Sequence, residues 1–200
     1  MKIKICGLTH ATDIALINTY PVWAVGFNFY AQSPRCVSIA HTKTLGNKLA
    51  PGILKVAVFV NASINEIKQA HEACHFDLIQ LHGDEDPAFC QRLGLPIIKA
   101  LRVRNADSLA VAAEYEAHVD YLLCDAYQAA RYGGTGTHID PDTLKHFAPK
   151  RPWILAGGIG PDNAASAWQR YQPFALDICS GVEEAPGLKS PEKRKKLFSQ

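Results

Sequence analysis

The residues of this chain that could do chemistry stand singly, each at the end of a short apolar run. Cys6 and Gly7 close the run Lys2-Ile3-Lys4-Ile5, whose alternation suits a strand. A thiol at a strand exit reads two ways: a small buried apolar residue, or a base once its thiolate forms. Lys4 lies two residues earlier, on the same face of the strand. Its ammonium either favours that thiolate or leans away to solvent along its aliphatic stem. Asp125 follows Tyr121-Leu122-Leu123-Cys124, where a carboxylate is costly unless it is hydrogen-bonded or functional. Arg35, after Ser33-Pro34, is a plain surface residue or a fork for a carboxylate or phosphate. His82, after Gln80-Leu81, binds a substrate, shuttles a proton or is a satisfied structural histidine. Lys99 raises Schiff-base chemistry of the aldolase kind.

Three glycine-rich stretches add a second kind of chemistry. Arg131-Tyr132-Gly133-Gly134-Thr135-Gly136 is pliant enough to bring backbone N–H groups to a ligand and to close over it. Leu155-Ala156-Gly157-Gly158-Ile159-Gly160-Pro161 and Asp177-Ile178-Cys179-Ser180-Gly181-Val182-Glu183 lie near the C-terminus. Small residues at Gly157, Gly158, Ser180 and Gly181 let bare amides and a helix start converge on an anion. A phosphorylated ligand is the expectation.

These groups need a frame, and the chain supplies a regular one. Apolar runs begin near Lys2, Ala24, Leu54, Asp77, Pro96, Asp120, Trp153 and Phe174, roughly 25 residues apart, the length a βα unit takes. Most are continuously apolar, as in Lys55-Val56-Ala57-Val58-Phe59-Val60, which fits strands covered on both faces. Helices are expected at Ala11–Thr19, Val37–Leu49, Ile64–Cys74, Pro87–Leu93, Asp107–Ala117, Pro141–Phe147, Pro161–Tyr171 and Pro191–Phe198. Proline follows Asp86, Asp140, Gly160 and Ser190, where it suits a first helical position, and Thr9 is placed to cap the first helix. Eight βα units without a composition break favour one closed (βα)8 barrel of the TIM type over residues 1–200. A doubly wound sheet usually has fewer strands, and the first βα turn lacks Gly-x-Gly-x-x-Gly. In such barrels the active site lies at the C-terminal ends of the strands, where the residues above stand, and phosphate is held after strands seven and eight.

Composition narrows the rest. Two hundred residues, 48% hydrophobic and 20% charged, describe an ordinary globule with a sizeable core. A formal net charge of +2 points to neither nucleic acid nor an anionic membrane. No apolar run approaches the roughly 20 residues of a membrane span, and the N-terminus lacks the layout of a signal peptide. Glu192-Lys193-Arg194-Lys195-Lys196 reads as the solvated face of a last helix. The six cysteines are scattered without a Cys-x-x-Cys pair, so neither a metal site nor a disulfide scaffold is expected. Reduced thiols fit a cytoplasmic protein.

Taken in order, the strand exits carry a resemblance. Lys4-Ile5-Cys6-Gly7-Leu8-Thr9, Gly26-Phe27-Asn28-Phe29-Tyr30 with Ser33-Pro34-Arg35, Gln80-Leu81-His82-Gly83, Gly133 to Gly136, Leu155 to Ile159 and Asp177 to Glu183 resemble the phosphoribosylanthranilate isomerase family of tryptophan biosynthesis. The resemblance runs from end to end. It implies an Amadori rearrangement without cofactor or metal, in which Asp125 is the general acid and Cys6 the general base. Arg35 would hold the anthranilate side of the substrate and Asp177 a sugar hydroxyl, with His82 and the backbone at Gly134 beside them. Gly157, Gly158, Ser180 and Gly181 would take the phosphate. The implied partner is a small-molecule substrate, with no nucleic acid and no membrane, and the implied state a monomer or homodimer. Ala126 stands where the family has threonine, Cys179 where it has serine and Ala31 where proline is common. The competing readings are a Schiff-base sugar-phosphate aldolase acting through Lys99 and a phosphosugar-binding barrel without activity.

Overall fold

The computed structural model describes residues 1–126 and 139–199. Eight parallel strands close into a barrel in sequence order: β1 (Ile3–Cys6), β2 (Ala24–Asn28), β3 (Leu54–Phe59), β4 (Leu78–Leu81), β5 (Ile97–Val103), β6 (Tyr121–Ala126), β7 (Trp153–Leu155) and β8 (Ala175–Ile178). Each begins within one residue of its expected start. The helices between them are α1 (Ala11–Ile17), α2 (Ile39–Gly46), α3 (Ile64–Cys74), α4 (Pro87–Leu93), α5 (Asp107–Ala110), α6 (Ala112–Tyr115), α7 (Pro141–Leu144), α8 (Ala164–Tyr171) and α9 (Pro191–Phe198). A two-stranded antiparallel hairpin follows β8: β9 (Glu183–Ala185) and β10 (Leu188–Lys189).

The continuous hydrophobicity of the strands is explained by two apolar layers. Val25, Phe27, Ile79, Leu81, Leu122 and Leu176 pack outward against the helices. Ala24, Val56, Leu78, Ile98, Leu123, Ile154 and Ala175 point inward and fill the barrel axis. Trp23, Tyr121 and Phe174, all at strand beginnings, pack against one another at 5.1–5.6 Å, Trp23 and Phe174 edge to face, and stop the lower end. That leaves the upper, C-terminal end for polar side chains.

Helix ends follow local chemistry where a capping residue decides them. Ser63 and Glu66 form a reciprocal capping box on α3, and Asp86 and Ser190 cap α4 and α9 ahead of their prolines. These three helices keep their expected bounds. Ser38 accepts from the His41 N–H, so α2 starts after it and Val37 stays outside. The helix expected over Asp107–Ala117 is two short ones, parted at Val111, where ψ is −14°.

Two starts are corrected by side-chain bonds, one long-range and one within the loop. Thr9 does not cap α1; its hydroxyl donates to the Gly187 carbonyl at 2.5 Å, tying the first loop to the hairpin. Pro161 does not open α8, which begins at Ala164, because the Asn163 side chain bonds back to the loop, accepting from Gly160 N at 2.8 Å and donating to Gly158 O at 3.0 Å. The charged run of α9 is also not uniformly solvated. Arg194 is 1% exposed and pairs with the buried Asp13 of α1 at 3.1 Å.

Candidate active site

The inward face of each strand follows from its register. Lys4 pairs with Ala24 on one side and Asp177 on the other, so the inward positions two residues later include Cys6, Gly26 and Cys179. These inward positions open into a cavity at the barrel mouth. Cys6, Arg35, His82, Asp125, Asp177, Gly157, Gly158 and Ser180 all line it. Gly181 does not line it but lies behind it; a Cβ there would overlap the Ile159 carbonyl oxygen, so only glycine lets the two anion loops touch backbone to backbone. Gly134 and the whole Arg131–Gly136 stretch lie outside the described residues.

Cys6 stands on β1 and Asp125 on β6, three strands apart one way around the ring and five the other, so the two face each other across the mouth. Asp125 is held at both oxygens: Oδ2 lies 3.1 Å from His82 Nε2, and Oδ1 accepts from the Ala126 N–H at 3.0 Å. His82 is in turn set by Gln80, whose amide nitrogen is 2.8 Å from Nδ1. A donor on Nδ1 places the ring proton on Nε2, toward the carboxylate. Ala126 supports Asp125 through its backbone alone.

Lys4 does not lean to solvent. Fully buried, it donates to Asp177 Oδ1 at 2.8 Å. Burial opposes its charge, but the Asp177 carboxylate and the Cys6 sulfur outweigh that and push its pKa up. Cys6 itself is enclosed on one side by Gly26, where a Cβ would come within 2.6 Å of the sulfur. Gly7, at φ +75°, sits in a conformation that favours glycine, and a Cβ there would meet Arg35 Cδ at 2.6 Å and Cys179 Sγ at 3.2 Å. The Cys6 thiol is raised by its hydrogen bond with Cys179 and by burial, against the pull of Lys4. Cys179 goes the other way, to about 7, through that same bond, with Lys189 and Arg35 opposing the effect of burial.

Two buried charged residues beside the site escape a strand-by-strand reading. Glu183, the first residue of the hairpin, takes Arg35 side-on, with Nε–Oε1 at 2.9 Å and Nη2–Oε2 at 2.7 Å. Burial alone would raise Glu183, but Arg35 and Lys189 hold it below the ordinary carboxylate range. Lys189 is buried and donates to the Cys6 carbonyl at 2.5 Å, to Glu183 Oε1 at 2.7 Å and to the Cys179 carbonyl at 3.2 Å. One ammonium thus fastens the ends of β1 and β8 to the hairpin. The signal for Glu183 was its acidic charge directly after an anion loop, which is unfavourable unless cations stand beside it.

Lys99 stands elsewhere. Its ammonium is engaged by Glu85 Oε2 at 2.7 Å and the Gly83 carbonyl at 2.8 Å, and it does not line the mouth cavity. Among the described residues, no helix is long and apolar enough to cross a membrane.

A closed parallel barrel whose mouth brings a carboxyl and a thiol to opposite sides of one cavity, beside two glycine-rich loops, places the chain in the class of TIM-barrel enzymes. Residues 3–200 match the family model described as N-(5'-phosphoribosyl)anthranilate (PRA) isomerase. The chain is 42% identical over 211 residues to an N-(5'-phosphoribosyl)anthranilate isomerase of Acaryochloris marina, covering 100% of this chain and 97% of that one. It superposes on the phosphoribosyl anthranilate isomerase of Thermotoga maritima with a TM-score of 0.91 and 30% identity, over 100% of this chain and 97% of that one. A crystal structure of phosphoribosyl anthranilate isomerase in complex with reduced 1-(o-carboxyphenylamino)-1-deoxyribulose 5-phosphate matches with a TM-score of 0.85 and 30% identity, over the same shares. The chain belongs to the N-(5'-phosphoribosyl)anthranilate isomerase family.

Proposed function

We propose that this chain catalyses the Amadori rearrangement of N-(5-phosphoribosyl)anthranilate to 1-(2-carboxyphenylamino)-1-deoxyribulose 5-phosphate in tryptophan biosynthesis. The observation that carries the residue roles is the placement of Asp125 and Cys6 on opposite sides of one cavity. Asp125, steadied by His82, gives its proton to the ribose ring oxygen, and the C1–O bond breaks as the nitrogen lone pair forms the Schiff base. Cys6 as thiolate then takes the proton from C2. The C2–H electron pair moves toward the iminium nitrogen, giving an enolamine that tautomerises to the ketone. The nitrogen of the substrate is the electron sink, so the sequence of steps closes without a redox partner.

The remaining groups bind. Arg35, presented by Glu183 along its Nε edge, meets the anthranilate carboxylate, and Asp177, aligned by Lys4, accepts from a sugar hydroxyl. The backbone at Gly157, Gly158 and Ser180 takes the phosphate, with Gly181 holding the two loops together. Gly134 is assigned to substrate binding by its motif. The enzyme is assigned to the cytoplasm as a monomer or homodimer. The test is genetic: expressed in a bacterium lacking this isomerase, the chain restores growth without tryptophan. A soluble, folded product that leaves the auxotrophy in place would overturn the assignment.

A further inference from the structure

Cys6 and Cys179 are neighbours by register. Ile5 of β1 pairs with Ile178 of β8, and the next residue on each strand is a cysteine. Lys4 and Asp177, two residues before them, meet inside the barrel at 2.8 Å, so both thiols point inward from strands roughly 4.8 Å apart. Both line the mouth cavity, side by side from adjacent strands. Their charged surroundings are Lys4 and Asp177 from β1 and β8, Arg35 from the loop after β2, and Glu183 and Lys189 from the hairpin. Lys189 Nζ is 3.9 Å from the Cys179 sulfur, and the sulfur is 4.0 Å from Glu183 Oε1.

We propose that Cys6 acts as one half of a thiol–thiolate pair sharing a single proton with Cys179, which is a positioning residue for the base. This deepens the role given to Cys6 above and rests on it. Cys179 occupies the place where the resemblance leads one to expect a serine, whose hydroxyl could donate to a thiolate but could not carry the charge. Two interacting acids lose their protons in macroscopic steps that belong to the pair. The first proton leaves near neutrality, with Lys4, Lys189 and Arg35 stabilising one negative charge between the sulfurs. The second is held far above, because a second thiolate would face the first. The upward shift at Cys6 is then no obstacle to catalysis. The base is the singly charged pair: Cys6 takes the C2 proton to form S–H, the pair becomes neutral, and one proton leaves again as the product forms.

The experiment is a pH titration of thiolate ultraviolet absorbance in the wild type, Cys6→Ala, Cys179→Ala and Cys179→Ser, without substrate. The other four thiols do not interfere, since burial raises Cys36, Cys74, Cys90 and Cys124. Wild type should form one thiolate per chain with a midpoint of about 7. In each alanine variant the remaining thiol should titrate at least about one unit higher, the coupling expected of a shared proton. Cys179→Ser, which keeps a hydroxyl donor, should fall between. A midpoint that stays at the wild-type value in either alanine variant means two independent thiols and overturns the proposal. Folding is checked by Cys124, which must stay closed to Ellman's reagent, and Cys6→Ser replaces Cys6→Ala should that variant open. Since no substrate is used, the pair can fail while the isomerase reading stands, or hold while it falls.

Discussion

Arg35 lies side-on to Glu183, with two of its nitrogens within 2.9 Å of the carboxylate, across 148 residues of chain. Glu183 also receives Lys189, so one buried carboxylate balances two buried cations. Glu183→Gln removes that charge and leaves both cations uncompensated. A loss of about 3 kcal/mol is expected, or about 6–12 °C in melting temperature for a chain of this size. KM for the substrate should rise more than kcat falls, because Arg35 loses its alignment. Thermal melts and steady-state kinetics read both; an unmoved melt would mean the triad is incidental. The sign with pH is fixed by the lowered carboxyl of Glu183. Its stabilisation is full above the unfolded value of about 4.3 and is lost as pH falls through the folded value. The Gln variant should therefore lose part of the acid dependence of stability seen in wild type.

Such a contact marks where the chain stops being legible one stretch at a time. The eight strand starts were readable because each strand carries its own apolar run, and α3, α4 and α9 because each carries its own cap. That Cys6, Asp125, Arg35 and the two glycine-rich loops stand at strand exits was readable in the same way, and the structure brings them to one cavity. What was not readable depends on which partner a side chain takes: Thr9 and Lys189 reached across the chain to Gly187 and Cys6, while Asn163 turned back on its own loop and moved the start of α8 past Pro161. The hairpin Glu183–Lys189 has only five strand residues, too few for a periodic signal.

Cys6→Ser and Asp125→Asn each remove one proton-transfer group without changing side-chain size much. Each should lower kcat by about 10²–10⁴-fold, the usual contribution of a positioned acid or base. Far-ultraviolet circular dichroism should remain that of the wild type. Near-normal turnover in both would show the acid–base assignment to be wrong whatever the substrate.

The pH dependence of kcat/KM follows from the thiol charge. The base must be deprotonated, and in the proposed Cys6–Cys179 pair the first proton leaves at about 7, from Cys179. Activity should therefore climb through that pH and drop about tenfold per unit below it. A rate that holds steady down to the carboxylate range would exclude a thiol base.

Arg194 of α9 is pinned to Asp13 of α1 at 3.1 Å, and both are buried. Arg194→Ala strands the Asp13 carboxylate in the interior, at a cost of about 3 kcal/mol. The melting temperature should fall accordingly, while kcat at ambient temperature stays near wild type, since neither residue lines the mouth. A stable Arg194→Ala protein would return the charged run of α9 to the role of a solvated face.

The central claim is that the acid and the thiol across this mouth isomerise phosphoribosylanthranilate. The direct measurement is the fluorescence of that substrate with the purified wild-type chain. Enzyme-dependent loss of anthranilate fluorescence, slowed at least about 100-fold in the Cys6→Ser and Asp125→Asn variants, is the expected result. Fluorescence that decays no faster than in buffer, with the barrel folded, would contradict it.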